Sequence, residues 1–148
     1  MNKRFANFTY RINKLYKLVQ KIRLIEMKEF DLKGIHVMCI YYLSTLGKMP
    51  ASELIRLTLE DKAAISRALK QLLEKKLVTY ISDGYNAPVE LTEQGLKVAA
   101  AIEQKAQKAV DATGGSLTDE QRDNFYECLE IVSERLEEYY KSMADKRE

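Results

Sequence analysis

Residues 57–95 read LTLEDKAAISRALKQLLEKKLVTYISDGYNAPVELTEQG, and this stretch decides the fold. Asp61 is a residue type that caps helices, and apolar residues recur after it at helical spacing, which predicts a helix from Lys62 to Lys76. The apolar side of this helix is formed by Ile65, Leu69, Leu72 and Leu73. The opposite side is polar and carries Lys62, Ser66, Arg67 and Lys70. The side that is expected to be buried is therefore separate from the side that is expected to be exposed.

Two short runs with the composition of β-strands follow this helix. Residues 77–81 and 89–91 favour strands, and the loop 82–88 between them is dense in turn-forming residues, so together they predict a hairpin. Thr92 then opens a further helix over residues 93–113. The predicted order of elements is helix, hairpin, helix.

Three passages of this stretch resemble the winged helix-turn-helix of the MarR family of bacterial transcription regulators. They are D-K-A-A-I-S-R at 61–67, the set Leu73, Lys76, Leu77 and Val78, and L-T-x-x-G at 91–95. Long helices predicted at both ends extend the resemblance over nearly the whole chain. The resemblance implies a transcription regulator that binds double-stranded DNA sequence-specifically and acts as a repressor. It also implies that the protein is a homodimer and that its operator is an inverted repeat. It also implies modulation by a small phenolic or aromatic effector.

The expected fold is all-α with a small β-hairpin wing, built as a single domain over residues 1–148. This is a winged helix-turn-helix with long terminal dimerisation helices. The DNA-binding lobe is expected at about residues 32–92. Besides the helix and hairpin described above, it should contain a helix at 32–46 that Gly47 closes and a short helix at 50–57.

The terminal helices are predicted at about residues 5–29 and 118–143. Apolar residues step by three and four along both, as Phe5, Phe8, Ile12, Leu15, Val19 and Ile22 in the first and Phe125, Leu129, Val132, Leu136, Tyr139 and Met143 in the last. Thr118 and Gln121 have the spacing of a capping box, which predicts that the last helix starts near Asp119. The first helix is rich in Lys and Arg and the last in Asp and Glu, so the two should attract each other; the alternative for either charge run is a solvated helix face. In the MarR family the terminal helices form the dimer interface, and the resemblance implies the same here.

The helix that starts at Lys62 is expected to enter the major groove of DNA, because its leading end is slim and polar. Arg56 and Lys62 are placed to reach phosphates. The residues expected near base edges are Ala63, Ala64, Ser66, Arg67 and Lys70. Arg67 is the strongest candidate for base readout. The alternative role of this side chain is a structural salt bridge with a neighbouring carboxylate.

The wing departs from the family pattern. Wings of MarR regulators commonly carry an Asp-x-Arg motif whose arginine enters the minor groove, whereas here Asp83 is followed by Gly84 and Tyr85. Tyr85 and Asn86 can still form hydrogen bonds to phosphate or sugar. A wing without a cation releases fewer counterions from DNA, so we expect the recognition helix to contribute most of the binding.

Two further functions, effector binding and redox sensing, have candidate residues in the sequence but no motif. The candidate lining residues of an effector cavity are Arg11, Tyr16, His36, Tyr41 and Tyr42. The alternative for the tyrosines is helix packing with a hydrated hydroxyl, and the alternative for His36 is a hydrogen-bonded surface or core position. Cys39 raises the hypothesis of a redox sensor of the same fold, but its place in the apolar run 37–43 favours an inert buried thiol.

The composition argues against several other classes of protein. Two distant cysteines, Cys39 and Cys128, and a single histidine argue against a disulfide scaffold or a zinc site, and no cofactor is expected. An enzyme is not expected, because the sequence has no nucleophile elbow and no phosphate-binding glycine loop. There is no apolar run near the roughly 20 residues of a membrane span and no apolar core of a secretory signal, so we expect a cytoplasmic protein. The remaining rival is a winged-helix protein-interaction module without DNA readout.

Overall fold

The computed structural model describes residues 3–144, with side chains from Ala6 onward. Phe5 of the first apolar stripe therefore lies outside the described side chains. The chain divides into two compact units, of which the first ends at Ala106 and the second begins at Gln107. The elements are α1 (Lys3–Glu26), a 3₁₀ turn (Lys28–Phe30), α2 (Gly34–Leu46), β1 (Met49–Pro50), α3 (Ala51–Thr58), α4 (Lys62–Glu74), β2 (Val78–Tyr80), β3 (Pro88–Leu91), α5 (Glu93–Gly114) and α6 (Asp119–Ala144). The predicted fold class, helical with a small β-wing, is confirmed.

The first unit is held together by one apolar core, to which α2, α3, α4 and the sheet all contribute. Ile40 of α2, Leu54 of α3, Ile65 and Leu72 of α4 and Val89 of β3 are completely buried. Each such side chain contributes about 1.5 to 3 kcal/mol by leaving water. The apolar side of α4 predicted from the sequence is therefore the side that faces the core, and only Leu73, at its edge, is half-buried.

The sheet has three strands rather than the two that the hairpin pattern predicts. Its order is β1, β3, β2, and both neighbouring pairs are antiparallel. Met49 pairs with Val89, and Pro50 is the last residue of this edge strand. Pro50 is also the N-cap of α3, so that helix begins at Ala51 instead of Pro50. A strand of two residues is too short to show an alternation of apolar and polar residues in the sequence. It is recognised only by its pairing with β3, some forty residues away.

Helix α4 begins as predicted and ends two residues early. The Asp61 carboxylate accepts a hydrogen bond from the Ala64 amide at 2.7 Å, which confirms the cap. At the other end Lys76 takes the left-handed conformation with φ of 58°, so it cannot continue the helix. The Lys76 amide donates to the Leu73 carbonyl and the Leu77 amide to the Leu72 carbonyl, each at 2.9 Å. This pair of bonds is a Schellman motif, usually closed by glycine.

The first two helices also differ from their predicted bounds. α1 ends at Glu26 rather than near residue 29, because residues 28–30 form the 3₁₀ turn and Asp31 is left-handed with φ of 50°. α2 begins at Gly34 rather than at residue 32. Leu32 precedes the helix and packs its side chain in the apolar core.

The L-T-x-x-G passage joins α5 to the end of α4. The Thr92 hydroxyl donates to the Lys76 carbonyl at 2.6 Å, and the Thr92 amide donates to the Leu77 carbonyl at 3.0 Å. The Gly95 amide donates to the Thr92 hydroxyl at 3.0 Å, so threonine also caps α5. A Cβ atom on Gly95 would lie 2.0 Å from the Leu77 carbonyl oxygen. Only glycine therefore fits at this position.

In the second unit α6 begins with the predicted capping box. The Thr118 amide donates to Gln121 Oε1 at 3.0 Å, and the Gln121 amide donates to the Thr118 hydroxyl at 3.2 Å. Every residue of α6 except Arg122 is exposed, including the whole apolar stripe from Phe125 to Met143. Cys128, which the sequence suggests is a packing residue, is exposed as well.

The described part of α1 presents the same kind of surface in the first unit. Its stripe residues Phe8, Ile12, Leu15, Val19 and Ile22 are all more than 40 % exposed. None of the described helices combines the length and the apolar character that crossing a membrane requires.

Replacement of Gly95 by alanine should destabilise the protein, because the new Cβ would overlap the Leu77 carbonyl oxygen. We expect the free energy of unfolding to fall by about 1 to 3 kcal/mol, the usual cost of overpacking, or more. Urea denaturation followed by circular dichroism measures it. Gly114→Ala is the matched control, since its Cβ would meet nothing closer than Arg122 Nε at 3.7 Å. Equal stability of the two variants would contradict the close approach.

Candidate nucleic-acid interface

The exposed side of α4 carries most of the residues that the sequence predicts for DNA contact. Lys62, Ala63, Ser66, Arg67 and Lys70 are exposed, and Ala64 is half-buried beside them. The core holds the opposite side of the helix through Ile65, Ala68, Leu69 and Leu72. The helix is thus fixed by one side and presents small and basic side chains on the other.

The three cations on this surface are available for an external anion. Among the residues that the structure describes, Lys62, Arg67 and Lys70 form no ion pair with a carboxylate. The salt bridge considered as the alternative for Arg67 is therefore not found in this part of the chain. Exposed guanidinium and ammonium groups of this kind are the usual partners of phosphate oxygens and guanine edges.

Arg56 is placed differently from the cations of α4. It lies on α3, where its Nε donates to Glu53 Oε2 at 3.0 Å, one turn away on the same helix. The guanidinium keeps the pKa of the Glu53 carboxyl below its ordinary value. A phosphate would have to compete with this carboxylate, so the geometry favours Arg56 less than Lys62 as a phosphate contact.

The wing loop lies beside the start of α4. Tyr85, at the tip, is 97 % exposed, and Gly84 before it has φ of +122°, which favours glycine. Asn86 donates from Nδ2 to the Ser52 hydroxyl of α3 at 3.1 Å, which ties the loop to that helix. An open cleft of about 410 Å³ separates the loop from α3 and α4, and its lining includes Ser52, Lys62, Tyr80, Tyr85 and Asn86.

This arrangement brings the predicted wing residues and Lys62 to one site. Ser52 and Tyr80 also line it but were not among the predicted contacts. Ser52 comes to this cleft through the tertiary structure, where it accepts the hydrogen bond from Asn86, and no pattern in the sequence indicates it. The charged residues from Val78 to Leu91 are Asp83 and Glu90, so the wing contributes no cation.

Two of the predicted effector residues line different cavities. Tyr16 lines a cavity with Arg23, Met38 and Glu60, whereas Tyr41 lines another between α2 and α5. Arg11 lies on exposed α1, where its Nε donates to Asn7 Oδ1 at 3.3 Å.

The other two predicted effector residues serve the fold itself. Tyr42 packs edge-on against Tyr41 and donates its hydroxyl hydrogen to the Leu57 carbonyl at 3.1 Å. His36 is buried at the start of α2, where its Nδ1 accepts a hydrogen bond from the Lys33 amide at 3.0 Å. His36 therefore occupies the hydrogen-bonded core position considered as its alternative, whereas the Tyr42 hydroxyl is bonded to a backbone carbonyl rather than to water.

Cys39 is completely buried in the core of the first unit. Burial raises the pKa of its thiol to about 12, so the reactive thiolate is absent at neutral pH. This environment is that of an inert packing residue and argues against peroxide sensing at Cys39. Within residues 3–144, no group of His, Cys, Asp and Glu side chains is arranged to hold a metal ion.

Comparison with known proteins identifies the fold. No protein-family model and no curated protein matches the sequence. Among solved structures, a MarR transcriptional regulator from Methanosarcina mazei Go1 is similar, with a TM-score of 0.81, 22 % identity and 91 % of each chain covered.

Two further structures have the same fold. A MarR protein from Peptoclostridium difficile has a TM-score of 0.85 and 19 % identity over 97 % of this chain and 95 % of that one. A Staphylococcus aureus MarR in complex with salicylate and kanamycin has a TM-score of 0.83 and 15 % identity over 93 % and 95 %. The fold of this chain is therefore that of the MarR family of winged helix-turn-helix transcription regulators.

Proposed function

We propose that this protein is a MarR-type transcription regulator that binds double-stranded DNA as a homodimer and acts as a repressor in the cytoplasm. The observation that carries the proposal is the exposed side of α4. It joins cations that have no carboxylate partner among the described residues to small side chains, on a helix whose other side is fixed in the core. A helix of this kind can be inserted into the major groove without losing any contact of the fold.

The cations of α4 have different roles in the proposed complex. Arg67, in the middle of the exposed side, contacts base edges, for which a bidentate guanidinium is suited. Lys62, at the start of that side, contacts phosphates. Lys70, one turn after Arg67, lies near base edges as well. Ala63 and Ser66 have short side chains, which let the helix backbone approach the bases closely.

The apolar stripes of α1 and α6 support the homodimer. Each stripe exposes large apolar side chains along several helical turns, far more than a monomeric surface usually shows. A second copy of the chain supplies the same stripes, and a two-fold axis lets them cover one another. The opposite charge of the two helices favours the same association. The dimer then presents two α4 helices to an inverted-repeat operator with half-sites about one helical turn, or a multiple of it, apart.

The proposed regulator binds a small aromatic effector in the cavity beside Tyr16. The cavity beside Tyr16 contains the Arg23 guanidinium, a suitable partner for the carboxylate of a phenolic acid. The salicylate complex of the Staphylococcus aureus MarR, which shares the fold, supports this choice of ligand class.

A protein-interaction module without DNA readout is the second candidate function, and the wing without a cation favours it. A gel-shift titration on the DNA upstream of the protein's own gene, repeated across salt concentrations, separates the two. A DNA reader gives a specific complex whose affinity falls steeply with salt. An interaction module gives no specific complex at any salt concentration.

Arg67→Ala should abolish specific binding while the fold and the dimer remain. A bidentate base contact contributes about 1 to 3 kcal/mol, and a dimer makes it twice. Fluorescence anisotropy with a labelled operator measures the affinity. Lys97→Ala removes one positive charge from an exposed side chain of α5, paired with Glu93, and is the matched control. Wild-type affinity in Arg67→Ala would sink the assignment of this residue.

Leu136→Glu should give monomers or insoluble protein, because it places an unpartnered carboxylate in the α6 stripe. Sedimentation velocity reports the oligomeric state. Lys141→Gln changes the net charge by the same amount on the opposite side of α6 and should leave the dimer intact. A dimeric Leu136→Glu variant would show that the interface lies elsewhere.

The wing should contribute little to DNA affinity. We expect Tyr85→Ala to weaken operator binding less than Lys62→Ala or Arg67→Ala and to keep the wild-type salt dependence. Tyr85→Arg should steepen that dependence by about 1 per subunit, because it adds one phosphate contact. Hydroxyl-radical footprinting provides the check. If minor-groove protection at the operator flanks is lost in Tyr85→Ala, the tyrosine reads that groove and the prediction is wrong.

A further inference from the structure

A cavity of about 230 Å³ lies in the first unit, between α1, α2 and the turn that leads from α3 into α4. Its lining includes Tyr16 and Arg23 from α1, Met38 from α2 and Glu60 from the turn. Pockets for drug-sized ligands usually measure about 300 to 1,000 Å³. This smaller cavity therefore fits a ligand with a single ring.

Two opposite charges face this cavity without pairing. Among the residues that line it, Arg23 and Glu60 are the charged ones. Neither side chain forms an ion pair with the other or with any residue in the described range 3–144. Their charged nitrogen and oxygen atoms are therefore more than 4.0 Å apart. Opposite charges that share a cavity without contact can be bridged by a ligand that carries both complementary charges.

The turn before α4 is held by a threonine that uses its own hydroxyl in the fold. The Thr58 hydroxyl donates to the Leu54 carbonyl at 2.7 Å, and the same oxygen accepts the Glu60 amide at 3.4 Å. Leu59 between them is left-handed, with φ of 57°. Since the hydroxyl hydrogen of Thr58 is already bonded, the Glu60 carboxylate is the side-chain group that this turn offers to a cationic donor.

The Arg23 side of the cavity depends on a glycine at the start of α2. A Cβ atom on Gly34 would lie 3.0 Å from Gln20 Oε1 and 3.7 Å from Arg23 Nη1. The two side chains of α1 therefore extend over the start of α2, and the Arg23 side chain is half-buried there. A guanidinium can donate two parallel hydrogen bonds to one carboxylate, so Arg23 is a suitable partner for a ligand acid.

The remaining lining provides apolar surface between the two charges. Tyr16 contributes an aromatic ring, and Ile35 and Met38 of α2 contribute aliphatic and thioether groups. Aromatic rings pack favourably on such groups. The cavity thus offers a cation, a carboxylate and a surface for one ring.

We propose that the effector of this cavity is an aromatic amino acid. Its carboxylate binds Arg23, its ammonium group binds Glu60, and its ring packs against Tyr16 and Met38. This inference rests on the proposed function, in which the cavity takes a small aromatic effector, and it adds a positive charge to that ligand. A simple aromatic acid would satisfy Arg23 alone, and Glu60 would repel its negative charge, which provides selection against such acids.

The same contact brings the ligand to the start of α4. Glu60 directly precedes Asp61, whose carboxylate caps α4. A ligand held by Glu60 therefore binds the turn from which the DNA-binding helix begins.

The experiment measures binding to the free protein by isothermal titration calorimetry with three ligands that share one ring. They are L-phenylalanine, phenylpropionate, which lacks the ammonium group, and phenethylamine, which lacks the carboxylate. We expect L-phenylalanine to bind about tenfold more tightly than either of the others, since each of them leaves one charge-assisted hydrogen bond unmade. Absence of L-phenylalanine binding, or equal affinities for L-phenylalanine and phenylpropionate, would overturn the proposal.

Two variants assign the charges. Glu60→Gln keeps the size of an exposed side chain and removes its charge, so phenylpropionate should then bind as tightly as L-phenylalanine or more tightly. Glu90→Gln removes an exposed carboxylate of β3 that does not line the cavity, and as the matched control it should keep the wild-type preference. Arg23→Gln should weaken both ligands that carry a carboxylate and leave phenethylamine unchanged. A wild-type preference in Glu60→Gln would show that this carboxylate does not bind the ammonium group.

Salicylate separates this inference from the proposed function. If salicylate binds and L-phenylalanine does not, the amino-acid ligand is wrong while the proposed aromatic acid effector stands. If neither ligand binds, the effector part of the proposed function fails as well. The calorimetry contains no DNA, so operator binding by the same protein remains a separate test of the DNA-binding function.

Discussion

The close approach of Gly95 to the Leu77 carbonyl is the constraint on which the arrangement of the first unit depends. The end of α4, the first residues of β2 and the start of α5 meet at this point. Thr92 bonds to the last carbonyls of the turn after α4, and Gly95 leaves room for the backbone of that turn. Any side chain here would separate α5 from the turn and release the end of α4.

The fold was largely predictable because its main signals are local. The Asp61 cap, the Thr118 capping box and the apolar side of α4 depend on residues three or four positions apart, so the sequence contains them in full. The strand β1 and the end of α4 were missed, since the first exists only through its partner Val89 and the second through the unusual left-handed Lys76.

The candidate site was predictable only in part. The basic residues of α4 follow from helical spacing, but spacing does not show which cation has a carboxylate beside it. Arg56 has Glu53 as a partner, whereas Arg67 has none among the described residues. His36 also shows this limit. A histidine near a helix start reads equally as a ligand contact or a cap, and only the burial and the Lys33 amide distinguish them.

The exposed apolar side of α6 has a consequence for the amount of protein that a cell would need. A helix of 26 residues with no buried side chain in its own unit gains little from packing, and isolated helices are marginal in water. In the proposed dimer, the apolar side of α6 is covered only when two chains meet. The concentration of competent molecules then grows with the square of the chain concentration when copies are few. Operator occupancy would therefore respond sharply to small changes in synthesis or degradation, without any effector.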